Sequence, residues 1–179
     1  MIIIFEGPAF SGKTHIIDLL VAEWLWKKVP EVLVWENFLS FSVCMRNDLK
    51  KYFLAKKLKK TSSRVFVDRS YISTWVYVHL AKTFGFFDKV LDYYSEIDMQ
   101  KSRGLLKPDI CFLFKIKKHI WLSRWYNEIR YKESLIWYKN IALTYKFYNN
   151  LLERENIKTI YIDANWDTDS ILKQIKKYL

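Results

Sequence analysis

Glycine is scarce in this sequence, with 4 in 179 residues, and proline and cysteine are scarcer still at 3 and 2. So little glycine and proline excludes collagen-like and linker-like architectures. It also means that each glycine falls where the backbone has a use for it, and two of the four lie within one eight-residue stretch, Gly7 and Gly12. Cys44 and Cys111 are far apart and sit in apolar segments. They read as reduced, buried thiols, which excludes a disulfide scaffold and a cysteine-rich metal site. No apolar run reaches membrane-spanning length. The opening run Met1–Phe5 is too short for a signal peptide and has no basic region before it. A reduced, cytoplasmic protein with no membrane partner is the expectation.

Half of the residues are hydrophobic (51%) and 18% are aromatic, which excludes a disordered chain. The length suits one domain, 1–179, with a substantial core. The net charge of +11 points to an anionic partner without saying which.

Short β-branched and aromatic runs alternate with helical patterns along the chain. Strands are expected at Ile2–Phe5, Val32–Trp35, Val65–Val67, Ile110–Phe114 and Thr159–Ile162. Helical faces run over Ile16–Leu25, about Leu39–Lys60, Tyr71–Phe84, Asp88–Met99, from about His119, Leu135–Arg154 and Ser170–Tyr178. This alternation predicts an α/β fold: a five-stranded, mainly parallel sheet with helices on both faces.

Gly7-Pro8-Ala9-Phe10-Ser11-Gly12-Lys13-Thr14 follows the first strand and opens the first helix. It fits G-x-x-x-x-G-K-[ST] in the setting that gives the pattern meaning. The two glycines let successive amides turn into one anion-binding nest, and the helix N-terminus adds its dipole. Lys13 is expected to reach the β- and γ-phosphates of ATP, and the Thr14 hydroxyl to ligate Mg²⁺.

Ligands of open parallel sheets bind beyond the carboxyl ends of the strands. Glu36 then closes the second strand, and Asp68-Arg69 closes the third. Asp68 is a candidate for holding Mg²⁺ with Thr14. Arg69 can clamp an acceptor oxygen, and Glu36 can take the acceptor's proton or bind a sugar hydroxyl. Phe38 and Arg46 are the remaining candidates for substrate contact.

These motifs resemble the thymidylate kinase and deoxynucleoside kinase superfamily over nearly the whole chain. Phe5-Glu6-Gly7 leading into Ser11-Gly12-Lys13-Thr14 looks like the family's opening. Asp68-Arg69 with Ser73 and Tyr77 matches D-R-x-x-x-S-x-x-x-Y of thymidylate kinases, and Lys107-Pro108-Asp109 and Ile162-Asp163 are similar to theirs. Arg124, Arg130 and Glu133 fall at the spacing of the deoxynucleoside kinase lid, with Glu128 replacing its middle arginine. The resemblance implies a three-layer P-loop kinase fold with a short helical lid at about 124–134. It implies ATP and Mg²⁺ as cofactors, and Arg124 and Arg130 stabilising charge on the transferred group. It implies Tyr77 beside the substrate, and carries over homodimer formation as an expectation. Two departures are plain: Ala9 stands where thymidylate kinases have Asp, and Trp35-Glu36-Asn37-Phe38 replaces their R-E-P-G-G. An apolar loop position with Glu at a strand end looks more like the nucleoside kinases.

The acceptor is therefore read as a nucleoside or a nucleoside monophosphate. The basic segment Asp48–Lys60 reads as an amphipathic helix with solvated lysines. Its second reading is a nucleic-acid track, which would make the protein a polynucleotide 5′-hydroxyl kinase. A third reading is a regulatory ATP-binding module without phosphoryl transfer. Trp121, Trp125, Tyr126 and Tyr131 are candidates for stacking on adenine.

Overall fold

The computed structural model describes residues 1–31, 41–85, 107–126 and 140–179. Five strands form one all-parallel sheet in the order β2-β3-β1-β4-β5. They are β1 (Ile2–Glu6), β2 (Lys27–Val29), β3 (Val65–Asp68), β4 (Ile110–Lys115) and β5 (Thr159–Asp163). The helices are α1 (Lys13–Trp24), α2 (Phe41–Lys59), α3 (Tyr71–Thr83), α4 (Lys118–Tyr126), α5 (Ile141–Arg154) and α6 (Thr168–Lys176).

The central strand shows why the sheet is covered twice. Side chains alternate across a strand, and every residue of β1 is buried. Ile2 and Ile4 join a core with Val65, Val67, Leu113, Tyr52, Trp75 and Leu151, on the side of α2, α3 and α5. Ile3 and Phe5 join the opposite core with Phe66, Phe112, Ile17, Trp121 and Ile171, on the side of α1, α4 and α6. Phe5 meets Phe66 edge-on at a centroid separation of 5.3 Å, in one of the orientations that aromatic quadrupoles favour. Truncating such a ring to Ala costs about 3–5 kcal/mol, a large part of a small domain's stability.

The register then sets the site. Phe5 pairs with Asp68, so the end of β3 lies beside the entry to the glycine loop. Chain order reverses around β1, with β3 on one side and β4 on the other, which is where open α/β sheets form their ligand crevice.

Four expected strands are present, and a further strand, β2, was not among those expected. Lys27–Val29 forms β2 against β3, while the expected strand at 32–35 lies outside the described residues. The sequence hides β2 because it is a three-residue edge strand, and only Val29 is buried. Edge strands commonly carry lysines, which discourage further pairing, so Lys27-Lys28-Val29 has no apolar run to announce it. The expected helix at 88–99 also falls outside the described residues. Neither cysteine forms a disulfide, and Cys111 is buried. No described helix is long and apolar enough to cross a membrane.

Candidate active site

The glycine loop is shaped by close approach as well as by turning. Gly7 has φ +128°, and a Cβ there would stand 2.7 Å from the Phe114 carbonyl oxygen, inside van der Waals contact. Gly12 has φ +88° and caps the N-terminus of α1. Phe10 adopts φ 59°, a left-handed conformation that costs a non-glycine residue energy and tends to occur at functional turns.

Four successive carbonyls of the loop each accept a hydrogen bond from a side chain. Tyr148 donates to Gly7 O at 3.4 Å, Lys13 Nζ to Pro8 O at 2.7 Å, and Trp121 Nε1 to Ala9 O at 2.7 Å. Arg124 Nη1 donates to Phe10 O at 3.4 Å. With the carbonyls engaged in this way, the loop presents its amides to an anion. Lys13 is buried, and its Nζ also donates to the Ser11 hydroxyl at 3.1 Å. Burial and the charge of Arg69 push the Lys13 pKa down to about 7, against the opposing pull of Asp68, Glu31 and Glu6.

Asp68 is fully buried at the end of β3, and its Oδ2 accepts the Thr14 hydroxyl at 2.6 Å. Its Oδ1 is buried without a hydrogen-bond partner. A buried carboxylate oxygen left open is costly. With a hydroxyl beside it, it offers the hard oxygen donors that suit a divalent cation such as Mg²⁺. Thr14 and Asp68, expected to share this role, therefore stand together and fit it.

Arg69 follows with φ 59°. Its Nη1 donates to the Tyr77 hydroxyl, and its guanidinium lies 5.2 Å from the Tyr77 ring centroid. Its Nε is 2.7 Å from Glu31 Oε1. Burial alone would lower the Arg69 pKa, but Glu31 and Tyr77 outweigh it and hold the guanidinium firmly protonated.

Glu31 was not among the residues expected here. Expectation placed Glu36 at the end of the second strand; with β2 ending at Val29, Glu31 is the carboxylate that follows it, while Glu36 and Phe38 lie outside the described residues. The signal was present in Pro30-Glu31: proline cannot donate to the ladder, so it ends the strand and turns the next residue to the sheet's edge. The Glu31 side chain is 46% exposed, open to a ligand in a way that Asp68 is not. Burial raises its pKa, yet Arg69, Lys13, Lys51 and Lys28 outweigh that and hold it below the ordinary carboxylate value.

Helix α2 reaches this site through residues expected to face solvent. Lys50, Lys56, Lys57, Lys59 and Lys60 are exposed, as the amphipathic reading requires. Lys51 is buried instead, with its Nζ 2.5 Å from Asp68 O and 3.2 Å from Glu31 O. Asn47 Nδ2 donates to the same Glu31 carbonyl at 3.0 Å. Asp48 is buried too and accepts the Thr74 hydroxyl of α3 at 2.7 Å. Arg46, the expected contact on this helix, is exposed.

Behind the loop, Glu6 is fully buried at the end of β1. Its oxygens accept from Ser70 at 2.6 Å and from Ser73, and Ser73 also contacts the Tyr148 hydroxyl at 2.8 Å. Burial raises the Glu6 pKa to about 7, despite the two serines, Arg69 and Lys51.

On the other side of the loop lies an open cavity of about 260 Å³, lined in part by Phe10, Gly12, His15, Arg124, Trp166 and Thr168. Arg124 is tied across its wall, with Nη2 donating to Ala164 O at 3.0 Å. Trp166 is 58% exposed, and its Nε1 donates to Asp163 Oδ2 at 2.7 Å. Trp121, considered for stacking, is buried at 2% exposure and serves the loop instead. Arg130, Glu133 and Tyr131 lie outside the described residues.

No protein-family model matches the sequence, and no curated protein matches it either. Solved structures do match over almost the whole chain. The deoxyadenosine kinase of M. mycoides with bound dATP superposes with a TM-score of 0.76 at 17% identity, over 99% of this chain and 98% of that one. The same kinase holding dCMP and a flexible dCDP gives 0.73 at 18% identity, over 99% and 98%. The YorR protein of Bacillus subtilis, in complex with phosphorylated GDP, gives 0.60 at 20% identity, over 99% and 95%. Over its described residues, then, the chain has the α/β fold of the M. mycoides deoxyadenosine kinase and of YorR, a parallel sheet with helices on both faces.

Proposed function

We propose that this protein is a nucleoside kinase, transferring the γ-phosphoryl group of ATP to the 5′-hydroxyl of a nucleoside. One observation carries the choice of acceptor: the half-exposed Glu31 carboxylate, held 2.7 Å from Arg69 at the strand edge beside the glycine loop. A carboxylate in that place suits a neutral hydroxyl, from which it can accept a proton. It would repel the two charges of a nucleoside monophosphate. Of the cations acting on it, Arg69 is engaged by Glu31 and Tyr77, Lys51 by two carbonyls and Lys28 by Asp18, and Lys13 belongs to the glycine loop.

In this reading the triphosphate lies in the amide nest, with its base in the cavity between Arg124 and Trp166. Lys13 leaves the Pro8 carbonyl for the β- and γ-phosphates, where it offsets charge that spreads over the transferred group. Glu31 orients the acceptor hydroxyl and takes its proton as the new oxygen–phosphorus bond forms. The bond from the γ-phosphorus to the bridging oxygen breaks, and ADP carries away that electron pair. Arg69 keeps Glu31 ionised and aimed. Thr14 and Asp68 would hold Mg²⁺, which when bound neutralises phosphate charge.

The test is labelled ATP offered against nucleosides, nucleoside monophosphates and a 5′-hydroxyl oligonucleotide. Label on a nucleoside alone is expected. Label on a monophosphate alone overturns the acceptor assignment, and ATP binding with no labelled acceptor overturns the enzyme reading.

A further inference from the structure

Lys51 presents a problem of economy. A buried ammonium loses several kcal/mol of hydration unless its surroundings replace it, and this one is 3% exposed on a helix with four exposed lysines to spare. Its ligands are not carboxylates but two backbone carbonyls, of Glu31 and Asp68. Asn47, one helical turn earlier on the same face, reinforces one of them.

Those carbonyls occupy particular places. Glu31 lies beyond the end of β2, where no ladder bond holds it, and Pro30 before it has no N–H to donate. Its carbonyl accepts from both Asn47 and Lys51. The Asp68 carbonyl belongs to the peptide that leads into Arg69, whose left-handed φ of 59° needs support from outside. One ammonium therefore spans the two backbone segments from which the Glu31–Arg69 ion pair projects.

We infer that Lys51, with Asn47, is a positioning residue for phosphoryl transfer: a clamp on α2 that fixes the Glu31 and Arg69 backbones so that their side chains meet in front of the glycine loop. The inference rests on the nucleoside kinase reading and adds to it a helix that the sequence presents as a mere basic surface. Positioning is a strong lever, because an error of about 1 Å at a reacting group can cost on the order of 10²-fold in rate. The clamp bears on the acceptor side through both carbonyls and reaches the metal site only through the backbone of Asp68.

The experiment is a double-mutant cycle on steady-state kinetics with ATP and the labelled nucleoside, using Lys51→Met, Glu31→Gln and the pair. Lys51→Met keeps the apolar stem and removes the donors. It is expected to lower kcat about 30-fold with the KM for ATP within about twofold, since ground-state binding of the donor is untouched. Lys51→Arg restores donors and charge, and should recover most of the lost kcat. In the Glu31→Gln background, Lys51→Met should cost less than about threefold, because residues that act through one another are not additive. Full multiplication of the two losses overturns the clamp, as does normal turnover of Lys51→Met or a loss confined to the KM for ATP.

Thermal melting reports whether each variant is folded. Should Lys51→Met not fold, Asn47→Ala enters the same cycle, with a fall in kcat of about fivefold expected from the loss of one donor. An unchanged kcat then overturns the inference. Failure of the underlying reading looks different: Glu31→Gln alone would turn over at the wild-type rate, and the clamp would fall with it. A slow Glu31→Gln beside a multiplying Lys51→Met leaves the base in place and removes only the clamp.

Discussion

The two halves of the site are held in different ways. On the donor side one continuous loop binds the phosphates, and its carbonyls take single donors from Tyr148, Lys13, Trp121 and Arg124. On the acceptor side no described loop is held in this way. Glu31 follows β2, Asp68 and Arg69 end β3, and Lys51 and Asn47 come from α2, so the charges there fix one another across three elements. The donor side is an electrostatic surface made of backbone dipoles, and it tolerates loss of any one peripheral contact. The acceptor side is a network of few charged groups, and each depends on its partner.

That contrast ranks the expected effects. Lys13→Ala removes the one charge that the donor loop contributes from a side chain, and a fall of about 10³-fold or more in kcat is expected from its place at the phosphates. An unaltered melting temperature and wild-type turnover together would show that the loop is not the reacting site. Glu31→Gln keeps shape and removes the base, with about 10²–10³-fold lost in kcat, the usual worth of positioned proton transfer. Its effect should fall on kcat, and a change in the KM for ATP alone would break the division between the two sides.

Trp166→Ala should act on the donor side only, raising the KM for ATP about fivefold while kcat holds, the mark of binding lost equally from ground and transition states. A lower kcat with unchanged KM would place Trp166 elsewhere.

Glu6 lies behind both halves, and Glu6→Gln is expected to change turnover least. Its effect is on stability, with a definite sign. The folded pKa of about 7 lies above the ordinary 4.5, so the native state binds the proton more tightly than the unfolded chain. The wild type therefore loses stability as pH rises from about 4.5 to 7, by up to about 3 kcal/mol, while the glutamine variant does not. Urea midpoints at pH 4.5 and pH 8 should diverge accordingly. A constant gap would mean that Glu6 is not held protonated by burial.

Much of the fold could be read from the sequence because its signals are local. Ile2–Phe5, Val65–Val67 and Ile110–Phe114 are runs buried on both faces, and the loop between β1 and α1 is a contiguous pattern. Thr14 and Asp68 were also legible, since strand ends in a parallel sheet share one edge. Glu31 was missed because β2 lacks an apolar run, so no strand was expected to end beside it. Lys51 was missed for a related reason. Among several lysines, composition cannot distinguish the one that turns toward the sheet, and only the packing of α2 on β3 does so.

The four engaged carbonyls of the glycine loop carry one more consequence. A loop whose carbonyls stay held by Tyr148, Trp121 and Arg124 while only the Lys13 side chain turns to the phosphates has little backbone freedom left to lose when a nucleotide arrives. Its ordering occurs during folding rather than at encounter. Nucleotide association should then be fast and simple, a single exponential whose rate rises linearly with nucleotide concentration. Curvature toward a plateau would instead reveal a loop that rearranges before it binds.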